Sequence, residues 1–130
     1  MTLADVDAGV RAAIAAYAQA LDDGRTDDVL ATFTPDGACD IPGLGEHEGH
    51  DALRVAYERV KPRRPQRHLV LNTLVTEWDE HEASATSDVV FLLQTHDGWS
   101  VQLVGRYQDT LVRGDDGTWR FRSRVAQFLS

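Results

Sequence analysis

The chain has 130 residues, 42% hydrophobic and 26% charged, with a formal net charge of −8. That is one domain of ordinary size with the composition of a globular protein, not of a disordered one. The acidic balance argues against nucleic acid as a partner, because phosphate binding needs a basic footprint, and the longest apolar runs, such as "VVFLL" (89–93), are too short to span a bilayer.

Residues 3–22 repeat Leu3, Val6, Val10, Ile14, Tyr17 and Leu21 at helical spacing, which predicts a first helix with one narrow apolar stripe. Its end reads "YAQALDDG" (17–24), with Gly24 as the residue that lets the chain turn away. Asp22 and Asp23 stand at the carbonyl-rich end, where a carboxylate is disfavoured by roughly 0.3–1 kcal/mol. Helical periodicity leaves Asp22 off the stripe and in water. "TDDVLATF" (26–33) predicts a short second helix capped by Thr26, with Asp27 and Asp28 in its first turn. "TPDG" (34–37) is turn chemistry, and "ACDIP" (38–42) is a short strand stopped by proline. A glycine-rich loop, "GLGEHEGH" (43–50), leads to a third helix near 51–60, which buries Leu53, Ala56, Tyr57 and Val60. The basic stretch "KPRRPQR" (61–67) reads as a solvated, proline-stiffened loop.

From residue 67 the period changes. Segments 67–78, 82–94, 99–113 and 118–129 are rich in valine, leucine, threonine and aromatics, and short polar turns separate them. They predict a four-stranded antiparallel meander. Helices first and strands later is the pattern of an α+β domain, with helices on one face of a sheet. Several strands are apolar on both faces, so a second subunit is expected on the other side, making a homodimer through the sheet face. No internal repeat or linker divides residues 1–130. The opening "MTLADVDAGV" carries two acids before its first arginine, so no secretory leader is expected. The single cysteine, Cys39, permits no internal disulfide and fits a reducing cytoplasm.

Candidate chemistry is sparse. "EHEGHD" (46–51) offers metal-ligand types in a glycine-broken loop without zinc-helix spacing, and an exposed polar loop is the simpler account. His81 and His96 fall in predicted hairpin turns. His68 opens a strand and shares a face with Asn72 by period two.

Three marks in order carry a resemblance: "YAQALDDGRTDDVLATFTPDG" (17–37), "HLVLN" (68–72) and "GRYQDTLVRGDDGTWRFRSR" (105–124). Over nearly its whole length the chain resembles SnoaL-like members of the nuclear transport factor 2-like superfamily. It is nearest to the hexachlorocyclohexane dehydrochlorinase and bile-acid dehydratase branch, with scytalone dehydratase more distant. The resemblance implies a cone-shaped, curved antiparallel sheet with the N-terminal helices packed on its concave face. It also implies an aspartate–histidine dyad, Asp22 and His68, assisted by Tyr17 and Arg124, with Asn72 and Phe33 as substrate-binding candidates. Asp23 is left solvated. Strand parity from Trp119 turns Arg124 away from Trp119 and Phe121, so it reaches their face only across a bulge. Where the ketosteroid isomerases hold a carboxylate base, this chain has Ile41, with Asp40 beside it.

The expected activity is a lyase or isomerase needing neither metal nor cofactor, with a dehydratase-type elimination on a small apolar molecule. Alternatives are a non-catalytic small-molecule-binding protein, a polyketide cyclase or ketosteroid-isomerase-like enzyme, or an interaction module acting through its sheet face.

Overall fold

Helix α1 spans Leu3–Asp22 and begins in a capping box: the Thr2 hydroxyl accepts the Asp5 N–H, and the Asp5 carboxylate accepts the Thr2 N–H. The helix ends in a Schellman motif. The Arg25 N–H reaches the Ala20 carbonyl and the Gly24 N–H reaches that of Leu21, with Gly24 at φ +70°. The computed structural model of the chain describes residues 1–129. Helix α2 (Thr26–Ala31) follows at once; Arg25 occupies its cap position and Thr26 is its first helical residue, so the expected threonine cap does not form. Strand β1 (Phe33–Ile41), strand β2 (Gly45–Glu48) and helix α3 (His50–Arg59) come next. Four long strands complete the chain: β3 (Gln66–Trp78), β4 (Glu82–Thr95), β5 (Gly98–Arg113) and β6 (Trp119–Phe128).

The predicted meander is present as β3 to β6, paired antiparallel in sequence order. The full sheet has six strands in the order β2-β1-β6-β5-β4-β3, and β1 runs parallel to β6. This is the expected α+β architecture, a curved open sheet carrying the N-terminal helices on one face. Two local expectations give way to sheet pairing. "TPDG" is not a free turn but the irregular middle of β1, between the pairings Phe33↔Phe121 and Ala38↔Ser123. The glycine-rich loop contains β2, held on β1 from Ala38↔Glu48 to Ile41↔Gly45.

Along α1 the stripe Val6, Val10, Ile14, Tyr17 and Leu21 is buried, while Leu3 at its start stays half exposed. Burying each large apolar side chain contributes about 1.5–3 kcal/mol, which is what seats α1 on the sheet. Phe33 packs on Tyr17, Tyr57 and Phe121, with ring centroids 5.5–6.2 Å apart. Among the described residues no helix is long and apolar enough to cross a membrane.

Two bulges decide which side chains face the helices. On β3 the register steps from Leu71↔Asp88 to Leu74↔Thr86, inserting one extra residue at Asn72, which adopts φ +56°. On β6 it steps from Phe121↔Leu111 to Ser123↔Thr110, inserting Arg122. Each insertion flips the alternation beyond it.

Candidate active site

Asp22 is the last residue of α1, and β3 starts directly against it. The Asp22 carboxylate accepts three hydrogen bonds from that strand: His68 Nδ1–H at 2.6 Å and Gln66 Nε2–H at 3.1 Å on Oδ1, and the His68 backbone N–H at 2.8 Å on Oδ2. These donors offset the poor fit of an acid at a helix C-terminus and bury it to 8% exposure, against the helical-periodicity expectation that it lies in water. Asp23 is exposed beside it and pairs with Arg25, as a solvated residue would.

A carboxylate only accepts, so in the neutral imidazole this bond places the ring proton on Nδ1 and leaves Nε2 with a lone pair. The His68 ring is clamped on its face by Phe91, with centroids 4.6 Å apart. Its side chain retains 16% exposure, whereas that of Asp22 retains 4%. His68 lines a cavity of about 260 Å³ whose walls are mostly apolar, including Leu21, Ile41, Leu44, Val89, Leu103 and Phe128. The polar residues lining it are His68, Gln66, Tyr17, Tyr57 and Tyr107.

The Tyr17 and Tyr57 hydroxyls lie 2.7 Å apart. Burial, and then the neighbouring Tyr107, push the Tyr17 phenol above its ordinary range; burial followed by Tyr17 does the same to Tyr57. Both phenols are thereby held toward the protonated form, in which each can donate a hydrogen bond. Burial likewise raises Tyr107, with Arg124 opposing.

Arg124 does not line the cavity. The Arg122 bulge turns it inward, onto the face of Trp119 and Phe121, but it lies fully buried beneath aromatic rings. Its guanidinium carbon sits 3.6 Å from the Tyr107 centroid, 4.4 Å from that of Tyr17 and 4.5 Å from that of Phe121. Asp109 accepts from Nε at 3.0 Å and from Nη2 at 3.3 Å, while Nη1 has no protein partner among the described residues. Burial pushes the Asp109 carboxyl up and Arg124 pulls it back. Arg124 thus lies sealed beneath the tyrosines and not at the wall of the cavity beside His68, where it was expected.

Two further expectations fail. Asn72 does not share the His68 face: its bulge turns it outward, where its amide donates to Asp88 at 2.8 Å. Phe33 is core, packed on Tyr17 and Tyr57, and does not line the cavity beside His68. Tyr57 and Gln66 are the residues that sequence reasoning missed. Parity with His68 could have found Gln66, and a tyrosine on the apolar side of α3 needs a polar partner for its hydroxyl. His47 and His50 bond separate backbone carbonyls, those of Leu44 and Phe33. His81 and His96 are exposed, as their turns predict. A larger cleft of about 730 Å³ lies between α1, α2 and residues 117–120, but its charged groups, Arg25 with Asp28 and Arg120, are engaged in surface ion pairs.

A family model for the SnoaL-like domain matches residues 2–125. The chain belongs to the SnoaL-like family. None of the curated proteins compared with it matches. Among solved structures, this SnoaL-like chain is similar to a Catenulispora acidiphila protein in complex with S-DNPA, at 28% identity and TM-score 0.85, covering 96% of this chain and 94% of that one. An NTF2-like protein with a cystatin-like fold from Novosphingobium aromaticivorans shares the fold at 20% identity and TM-score 0.85, over 95% and 82% of the two chains. So does a candidate scytalone dehydratase from the same organism, at 23% identity and TM-score 0.81, over 94% and 83%. The SnoaL-like architecture is therefore shared over almost the whole chain.

Proposed function

We propose that the chain is a cofactor-independent lyase or isomerase, acting on a small apolar molecule by proton abstraction at carbon. The observation that carries this reading is the Asp22–His68 dyad opening on an apolar cavity. His68 Nε2 removes a proton from carbon beside a carbonyl. The Asp22 carboxylate holds the ring in place and faces the imidazolium that forms. Tyr17 donates to the carbonyl oxygen as it gains negative charge. In an elimination the proton on Nε2 passes to a departing β-hydroxyl, so that water leaves and a carbon–carbon double bond forms. In an isomerisation it returns to the γ-carbon. General acid–base assistance of this kind contributes about 10²–10⁴-fold.

The candidate scytalone dehydratase fold and the S-DNPA-bound relative agree with a pocket for small molecules in this family. Incubating the protein with a metabolite extract and following loss of water or an isomer shift by mass spectrometry tests the reading. The change should disappear with His68→Ala. Conversion that persists in a folded His68→Ala variant would refute it, and ligand binding without conversion by the wild type would make the chain a binding protein.

The same reading pairs two copies through the outer face of the sheet. Leu69 and Leu71 on β3 and Trp99, Val101 and Val104 on β5 are exposed there, and Asp88 and Arg106 beside them supply charges of both signs. A twofold axis lets such a patch complement itself. Sedimentation should give a dimer that Val101→Glu splits; a monomeric wild type would exclude it. Cys39, a buried free thiol, fits a reducing compartment such as the cytoplasm.

A further inference from the structure

The cavity beside His68 opens between the end of α3 and the turn from β1 to β2. Pro42, Gly43 and Val60 line it and are exposed, so they mark its mouth. Gln66 also lines it, and the chain between Val60 and Gln66 belongs to the basic stretch. Of the 13 Lys and Arg side chains, Arg59, Lys61, Arg63, Arg64 and Arg67 all fall within residues 59–67, with no acid among them, in a chain of net charge −8.

These cations are not equivalent. Lys61 is held by Glu58 at 2.9 Å. Arg67 alternates with Gln66 and His68 along β3, which turns it to the other face of the strand, and it donates to the Gln66 carbonyl at 2.6 Å. Arg59 reaches from α3 to the opposite lip, where its Nη2 donates to the carbonyl of the wall residue Leu44 at 3.3 Å. Arg63 and Arg64 are exposed and make no side-chain hydrogen bond or ion pair among the described residues. The segment carrying them is tied at both ends: the Val60 N–H reaches the Tyr57 carbonyl at 3.3 Å, and the Pro65 carbonyl accepts the Gln94 N–H at 3.0 Å. Pro62 and Pro65 fix φ between those ties. A loop held in this way loses less freedom when it binds.

The interior offers an anion nothing comparable. Its walls are mostly apolar, and the cation beneath them, Arg124, is 0% exposed and committed to Asp109. A charge drawn inside loses water without gaining a partner. A charge kept at the mouth stays hydrated and gains guanidinium groups, whose planar donor forks match carboxylate and phosphate oxygens.

We infer that the substrate's apolar body carries an anionic end, a carboxylate or a phosphate, which stays outside the cavity on the guanidinium groups of Arg59, Arg63 and Arg64 while the body reaches His68. This rests on the proton-abstraction reading above. Exposed ion pairs are individually weak and are screened by salt, so the arginines select among apolar bodies and do not replace the cavity as the source of affinity.

The test measures dissociation constants by calorimetry for one naphthalene body with different ends: 4-(2-naphthyl)butanoate, its neutral amide, 3-(2-naphthyl)propyl phosphate, and 2-naphthoate, whose carboxylate has no tether. At low salt the wild type should bind the butanoate and the phosphate about 3–10-fold more tightly than the amide, and in molar salt this advantage should fall below about twofold. The tighter of the two names the anion. 2-Naphthoate should bind more weakly than the butanoate, because its charge must follow the ring inward. Replacing both loop arginines, Arg63→Gln with Arg64→Gln, should remove most of the advantage and leave the amide unchanged, whereas Arg67→Gln should leave all affinities as they are. Equal affinity for the amide and both tethered anions, an advantage that survives molar salt or the double replacement, 2-naphthoate binding as tightly as the butanoate, or no probe binding at millimolar concentration would each overturn the proposal. The comparisons of ends and of salt need no variant and stand if one fails to fold. His68→Ala should keep the preference for the anions while losing turnover, so failure of the dyad and failure of the anion site are separate results.

Discussion

Two aspartates are buried against the same sheet, each paired with one basic side chain, and they are built for opposite ends. Asp22 meets His68 where α1 stops and β3 begins, and the imidazole reaches a cavity with 16% of its side chain exposed. Asp109 meets Arg124 one strand apart, on β5 and β6, and both side chains are 0% exposed. Asp22 has all its bonds from one strand start, leaving His68 Nε2 unspent. Asp109 balances a permanent charge that has no access to any ligand. The lesson is that a buried acid–base pair is reactive only where its partner keeps a free nitrogen at a cavity wall; otherwise it is support.

The comparison breaks most readily at the dyad. His68→Ala should lower turnover by about 10²–10⁴-fold, equivalent to roughly 3–5 kcal/mol of barrier. Its folding stability should fall by only about 1–3 kcal/mol in a urea melt, since Asp22 keeps two other donors. The sealed pair should behave in reverse. Asp109→Ala leaves a buried guanidinium uncompensated and should destabilise by about 3–5 kcal/mol. Asp109→Leu combined with Arg124→Met should recover most of that, measured by the same melts. Were the double variant as unstable as the single one, the ion pair would have to be credited with more than mutual neutralisation.

The smallest effect belongs to a third aspartate, Asp116, exposed at the surface. The Asp116 carboxyl is held well below the usual range by the Arg120 guanidinium and then by the Thr118 N–H. A carboxyl depressed in the folded state stabilises above its unfolded value and loses that contribution as pH falls through its folded one. Acid melts of Asp116→Asn should therefore differ from wild type near neutrality and converge with it in strong acid. The difference should be slight and should shrink with salt, because the pair is exposed.

Much of this was readable from local pattern. Helix α1 runs Leu3–Asp22 as its spacing predicts, Gly24 takes the left-handed conformation expected after it, and the four long strands fall close to their predicted bounds. These features depend on residues a few positions apart, whose consequences are local. The dyad residues came by resemblance; nothing in the helical pattern would have buried Asp22. Errors arose wherever a distant strand overruled a neighbourhood. "TPDG" became strand because β6 pairs beside it, with the Phe121 N–H on the Thr32 carbonyl at 2.7 Å. Asn72 left the His68 face because one inserted residue reverses alternation. The parity argument for Arg124 anticipated the bulge as a condition, and Arg122 supplies it.

The sequence by itself determined the order and type of most elements, the α+β class and the acid placed at the end of α1, because periodicity, turn chemistry and helix-end signals act within a few residues. Tertiary structure alone decided which side chains share the cavity. Bulges at Asn72 and Arg122 chose the faces, the start of β3 brought three donors to Asp22, and α3 carried Tyr57 to Tyr17. Those meetings join residues about 40 or more positions apart, except at the bulges, where the register with a partner strand sets the outcome. No local pattern encodes either.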